Sequence, residues 1–230
     1  MASSLGIDSV PIGIIKDSLK YALFDFSKNV VNIIAANEIN DTRKFMRNFL
    51  KTLEFNNKFD KIVVDTISYF DAYDSSIKMY NSNFNQVIDS LKKIDDELQA
   101  ILVKNEMNIR SLKDISNKMC VIIGFEKFLE RLDDEHKKMF KDIIKHNKET
   151  LKINFVFVDI PSSFKKYEYE DWYKNSFDLD DGIWIGFGVT QQFVLKLMLQ
   201  TAKLSNIDNE HAIIIKNGMP IMVKLINEFK

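Results

Sequence analysis

Glycine is missing where a strand, a loop and a helix would most use it. Residues 35–45, "AANEINDTRKF", follow the apolar run "VVNII" (30–34) and lead into "KFMRNFLKTL" (44–53), with no glycine among them. A phosphate-binding loop in that setting needs glycines to wrap its amides around an anion and a lysine to reach it. Cysteine is nearly absent too. Cys120 is alone, which excludes an internal disulfide framework and fits a reducing compartment. No apolar run approaches the roughly 20 residues of a membrane span, and "MASSLGIDSV" lacks the pattern of a secretory signal. Net charge is −1, so no global positive field draws nucleic acid or anionic lipid. No internal repeat, low-complexity tract or Pro/Gly-rich linker divides the chain.

What is present alternates between strand-like and helix-like segments over 230 residues, of which 46% are hydrophobic and 28% charged. Strands are expected at "VVNII" (30–34), "KIVVD" (61–65), "MCVII" (119–123) and "INFVFVD" (153–159). The last three are near-continuous apolar runs, as in parallel strands buried on both faces. Phe84, Val87, Ile88, Leu91, Ile94, Leu98, Ile101 and Leu102 keep helical spacing, with "KKIDDE" (92–97) as the wet face. "FEKFLERL" (125–132) and "HKKMFKDIIKHN" (136–147) read as shorter amphipathic helices. "GIWIGFGV" (182–189) is strand-like, and "HAIIIKNGMPIMVKLI" (211–226) reads as a hairpin around Asn217-Gly218, a type I′ signal.

Other constellations fail on spacing. The three histidines and Cys120 have no metal-ligand spacing, so no metal is expected. "DLDDG" (178–182) has its glycine too early for a calcium loop, and the twelfth position from Asp178 is Val189 rather than glutamate. "GFG" (186–188) has Gln191 where a dinucleotide fingerprint has its third glycine. The acids at 133–135 precede a helix and suit its positive end. "TRKFMR" (42–47) is a solvated helix face rather than a nucleic-acid surface.

Taken in order, several stretches resemble one family. "VPIGI" (10–14) followed by residues 23–53 is similar to the opening of FtsK/SpoIIIE-type motor domains. In a gapless alignment to G-x-x-x-x-G-K-[ST], Ala36 and Asp41 stand at the glycines, Thr42 at the lysine and Arg43 at the hydroxyl residue. "CVIIGFEKFLERL" (120–132) resembles the metal-binding strand, with Gly124 at the aspartate, Phe125 at the glutamate and Glu126 one residue out of register. Residues 151–175, 181–197 and 213–226 look like the end of EssC-type ATPases, the membrane-anchored motors of Gram-positive type VII secretion. There the resemblance is to the last, often degenerate, motor-like domain.

The resemblance implies a three-layer α/β P-loop NTPase-like (RecA/FtsK-type) domain over 1–230. A mainly parallel central sheet and a C-terminal hairpin are expected, in a module of a longer multi-domain membrane protein. It implies a non-catalytic, substrate-engaging or regulatory role at the cytoplasmic face of the membrane, the fragment itself soluble. Its partners would be secreted substrate proteins and neighbouring ATPase domains. Neither ATP nor magnesium is expected as a cofactor. Loss of the lysine removes a charge-assisted hydrogen bond of roughly 1.5–3 kcal/mol. Asp41 would set a negative charge near polyphosphate, at about 1–4 kcal/mol for 4 Å. Two alternatives stay open: an ATPase with an unorthodox pocket, using Arg43 or Lys44, and a DNA-translocase-type domain. Aromatic-rich "KKYEYEDWYKN" (165–175) supplies candidate partner contacts in Tyr167, Tyr169, Trp172 and Tyr173, set against packing of the same side chains.

Overall fold

The computed structural model describes residues 9–54, 59–70, 78–112, 115–198, 204 and 207–225. The four expected strands share one sheet and lie side by side. They are β3 (Val31–Ala36), β7 (Ile153–Asp159), β6 (Asn117–Ile123) and β4 (Phe59–Asp65), all parallel. Every residue of β7 is buried, so its near-continuous apolar run reports a strand covered on both faces.

The short strands β5 (Lys78–Tyr80) and β8 (Gly182–Ile185) extend the parallel part at either end. Beyond β8 the sheet becomes antiparallel through β9 (His211–Lys216), β10 (Met219–Leu225), β1 (Ser9–Ile15) and β2 (Tyr21–Asp25). The order across the described residues is β2-β1-β10-β9-β8-β3-β7-β6-β4-β5. Asn217 (φ 49°) and Gly218 (φ 74°) both have positive φ, so β9 and β10 meet in the hairpin their sequence signals. The Lys216 ammonium at the end of β9 donates to the Leu23 carbonyl of β2 at 2.9 Å.

Helix α1 (Thr42–Glu54) covers one face of the sheet, where Phe45, Met46, Phe49, Leu50 and Leu53 join Ile34, Val121, Val156 and Val223. The opposite face carries α2 (Phe84–Lys104), α3 (Phe125–Arg131) and α4 (Asp134–Thr150), with the short helices α5 (Pro161–Lys165) and α6 (Asp171–Ser176). Three layers result, and the expected wet face of α2 needs one correction. Asp95 within "KKIDDE" is fully buried, because α4 packs there and offers His146 and Asn147 as hydrogen-bond partners.

Asp133 caps α4 by accepting from the His136 amide at 2.9 Å. The His136 ring bonds Asp133 at 2.7 Å and reaches Asp89 of α2 at 3.2 Å. The Asp133 side chain, with lesser help from Asp89, raises the His136 pKa above its ordinary 6.5. The His136 amide and ring lower that of Asp133 below 3.8. A raised histidine stabilises fully below the unfolded value and loses that contribution as pH climbs through the folded one. A lowered carboxylate contributes above its unfolded value and loses this as pH falls through the folded one. The clamp should therefore act most strongly between about pH 4 and pH 6.5. Melting curves of wild type and His136→Gln should differ most in that window and converge at alkaline pH. A gap that widens with pH would contradict the assignment.

Candidate functional site

The loop from β3 to α1 is the natural ligand position of this topology, at the carboxyl end of a central parallel strand. Ala36 ends β3 fully buried under α1. Residues Ile39–Asp41 then wind into a 3-10 turn, in which the Asp41 amide donates to the Glu38 carbonyl at 3.0 Å. Thr42 opens α1 with its side chain buried, donating its hydroxyl to the Ile39 carbonyl at 2.8 Å. The Asp41 amide, at a position where a phosphate loop turns its amide toward the ligand, and the Thr42 hydroxyl both close on the loop itself.

Distant parts of the chain complete the closure. Asp41 Oδ1 accepts from Asn209 at 2.9 Å, while Asp41 Oδ2 is buried with no hydrogen-bond partner. Arg43 lies along Tyr69, with its guanidinium 5.4 Å from the ring centroid and Nη2 donating to the Tyr69 carbonyl at 3.0 Å. The buried Tyr69 donates its hydroxyl to Asn40 Oδ1 at 3.2 Å, and burial pushes its pKa up to about 12. Gly188 (φ 86°) sits so close that an added Cβ would lie 2.3 Å from Asn37 Nδ2. The "GFG" stretch thus lets the segment after β8 settle onto the loop after β3.

At the end of β6, Gly124 (φ 79°) turns the chain into α3, its amide bonded to the Val158 carbonyl at 2.9 Å. A Cβ there would stand 2.1 Å from Thr66 Oγ1, which bonds the Ile123 and Gly124 carbonyls at 2.9 and 3.1 Å. Phe125 is core. It stacks on Phe157 at 4.5 Å and on Phe164 at 5.4 Å. Glu126 turns toward α5, accepting from Lys166 at 2.8 Å and Ser163 at 3.0 Å.

The sequence reading missed two buried carboxylates beside β6, Asp65 closing β4 and Asp159 closing β7. Asp65 accepts from the Ile67 and Phe70 amides at 3.2 and 2.9 Å. Asp159 accepts from the Glu126 and Ile160 amides at 3.0 and 2.8 Å, and burial raises its pKa. Each organises the turn after its strand. Their signal was available in "VVD" and "FVD", apolar runs that end in aspartate.

The aromatic stretch divides. Tyr173 is buried and stacks on Phe177 at 3.9 Å. Trp172 is half-buried against Phe140 and Phe177 and donates to Glu170 at 2.6 Å. Tyr167 packs edge-on to Phe125 at 5.5 Å. Tyr169 faces outward at 80% exposure, with the Lys174 ammonium 5.9 Å from its ring centroid.

No protein-family model and no curated protein matches the chain. Solved structures do. The cytoplasmic domain of EssC is similar with a TM-score of 0.72 over 96% of this chain, at 9% identity, and 44% of that structure is covered. EccC of Thermomonospora curvata (ATPases 2 and 3), in complex with a signal sequence peptide, gives 0.68 over 97% at 12% identity, with 41% of it covered. The pCW3 conjugation coupling protein TcpA, in monomer form with ATPγS, gives 0.66 over 97% at 13% identity, with 67% of it covered. The chain spans less than half the length of the EssC and EccC structures. What it shares at these identities is the fold, that of FtsK/P-loop-like ATPase domains.

Proposed function

We propose that the chain is a non-catalytic module of a type VII secretion motor that acts through protein contacts, engaging secreted substrates or controlling neighbouring ATPase domains. The observation that carries this is the self-closed β3–α1 loop. The Asp41 amide serves Glu38 and the Thr42 hydroxyl serves Ile39, and Asp41, with one buried unpartnered oxygen, stands at the loop's helix end. Those residues do not fit a magnesium nucleotide. Thr42 stands where a phosphate loop has its lysine, and the two acidic positions of the metal strand hold a turn glycine and a core phenylalanine. A fold kept without its chemistry serves through its surface, and the fold alone names no activity.

Support for a protein partner comes from the EccC structure, whose similar fold is seen with a signal sequence peptide. The net charge of −1 disfavours nucleic acid. Among the described residues no helix is long and apolar enough to cross a membrane. A place at the cytoplasmic face would come from a longer parent protein. Calorimetry of the purified chain against secreted proteins and adjacent ATPase domains of one secretion system tests the proposal. Affinity on the order of micromolar that survives moderate salt is expected. Indifference to all of them, with steeply salt-dependent DNA binding instead, would overturn it.

A further inference from the structure

The segment after β8 is held in shape by its own hydrogen bonds yet presents large aromatic side chains to water. The Gln191 and Gln192 amides donate to the Gly188 carbonyl at 3.0 and 3.1 Å. Gln192 Oε1 accepts from the Val194 and Leu195 amides at 2.8 and 2.7 Å. Val189, Val194 and Leu195 are thereby buried, while Phe187 and Phe193 remain 47% and 59% exposed. A fixed, outward aromatic loses little freedom on binding, which suits a docking anchor. Phe193 adjoins α5, because the Lys165 ammonium lies 4.9 Å from its ring centroid. Tyr169, in the turn between α5 and α6, carries Lys174 in the same way.

The cations of this face differ in how they are used. Lys166 is paired with Glu126 and Glu130, and Lys141 with Glu170. Among the described residues, Lys165 and Lys174 have no carboxylate within ion-pair distance. Each rests on an exposed ring instead, a contact that leaves the positive charge open to a further partner. Glu168 raises the pKa of the neighbouring Tyr169 hydroxyl.

We infer that the face formed by α5, α6 and the 187–193 segment docks an acidic peptide segment of a protein partner. Its apolar side chains would lie on Phe187, Phe193 and Tyr169, and its carboxylates on Lys165 and Lys174. This rests on the reading of the chain as a protein-contact module and adds to it a surface and a charge preference.

The test uses fluorescence anisotropy with short synthetic peptides that share leucine and phenylalanine anchors and differ only in glutamate, glutamine or lysine flanks. The glutamate series should bind the full chain at least about tenfold more tightly than the lysine series. The double variant Lys165→Glu/Lys174→Glu should reverse that order, which a merely structural role for the lysines would not do. Phe187→Ser/Phe193→Ser, with an unchanged melting temperature, should weaken every series. Equal binding of all series, or stronger binding to phosphatidylglycerol vesicles, would overturn the inference. If secreted proteins or ATPase domains bind the Phe187→Ser/Phe193→Ser chain as well as wild type, this surface is wrong and the protein-contact function stands. If neither they nor the peptides bind wild type, both fall.

Discussion

Phe125→Glu is expected to prevent folding rather than to create a metal-strand carboxylate. Phe125 is fully buried where rings from four other elements or turns converge, those of Phe157, Phe164, Tyr167 and Phe177. Loss of a buried phenylalanine ring costs about 3–5 kcal/mol. A carboxylate in the same place adds several kcal/mol of desolvation with no cation to pair it. Together these approach or exceed the roughly 5–15 kcal/mol that holds a domain folded. Insoluble expression, or loss of the cooperative melt, is the expected outcome. Phe125→Leu, which keeps an apolar filling, should fold with a lowered melting temperature. A Phe125→Glu protein that melts like wild type would mean that this side chain reaches solvent.

The second large effect is expected at Asp95→Ala. Asp95 is fully buried on α2, its Oδ2 2.8 Å from His146 Nδ1 and its Oδ1 accepting from Asn147 at 3.2 Å. Asn147, itself fully buried, accepts in turn from the Ile153 amide at 3.1 Å and from the Thr150 hydroxyl at 3.0 Å. One polar chain thus ties α2 to α4 and to the first residue of β7. Alanine leaves the Asn147 amide short of an acceptor and opens a void, at about 3 kcal/mol in all. For a chain of this size the melting temperature should fall by roughly 6–12 °C. Asp95→Asn keeps an acceptor and should lose less. Equal, small losses in both variants would show that packing, not this chain of bonds, sets the α2–α4 contact.

Asp95 also shows where the sequence was opaque. Within "KKIDDE" it looks like any wet-face acid, and the hydrogen-bond partners that make its burial tolerable, His146 and Asn147, arrive on α4. Strands β3, β4, β6 and β7 were legible because apolar, largely β-branched or aromatic residues dominate each run, with few polar breaks such as Asn32 and Asn154, as burial on two faces favours. Asn217-Gly218 was legible because its two positive φ angles favour those residues locally. The strand pair β1–β2 was not, since Pro11 and a register shift near Gly13 interrupt its alternation. Three-residue β5 carries too little pattern to be read at all.

The candidate site follows the same division. That phosphate-loop glycines, and a lysine at position 42, are absent could be read directly from "AANEINDTRK". Its closure by Tyr69, Gly188 and Asn209 could not, because those residues arrive from elsewhere in the chain through tertiary packing. Burial of Trp172 and Tyr173, against the exposure of Tyr169, likewise depends on Phe140 and Phe177, which the local pattern does not contain.

The most direct test of the central claim, a phosphate-loop scaffold closed to nucleotide, is a calorimetric titration of the purified chain with ATP and magnesium. Only heats of dilution are predicted, with no turnover in a parallel phosphate-release assay. Saturable binding in the micromolar range, lost in Arg43→Ala or Lys44→Ala, would contradict the account and show a rebuilt pocket.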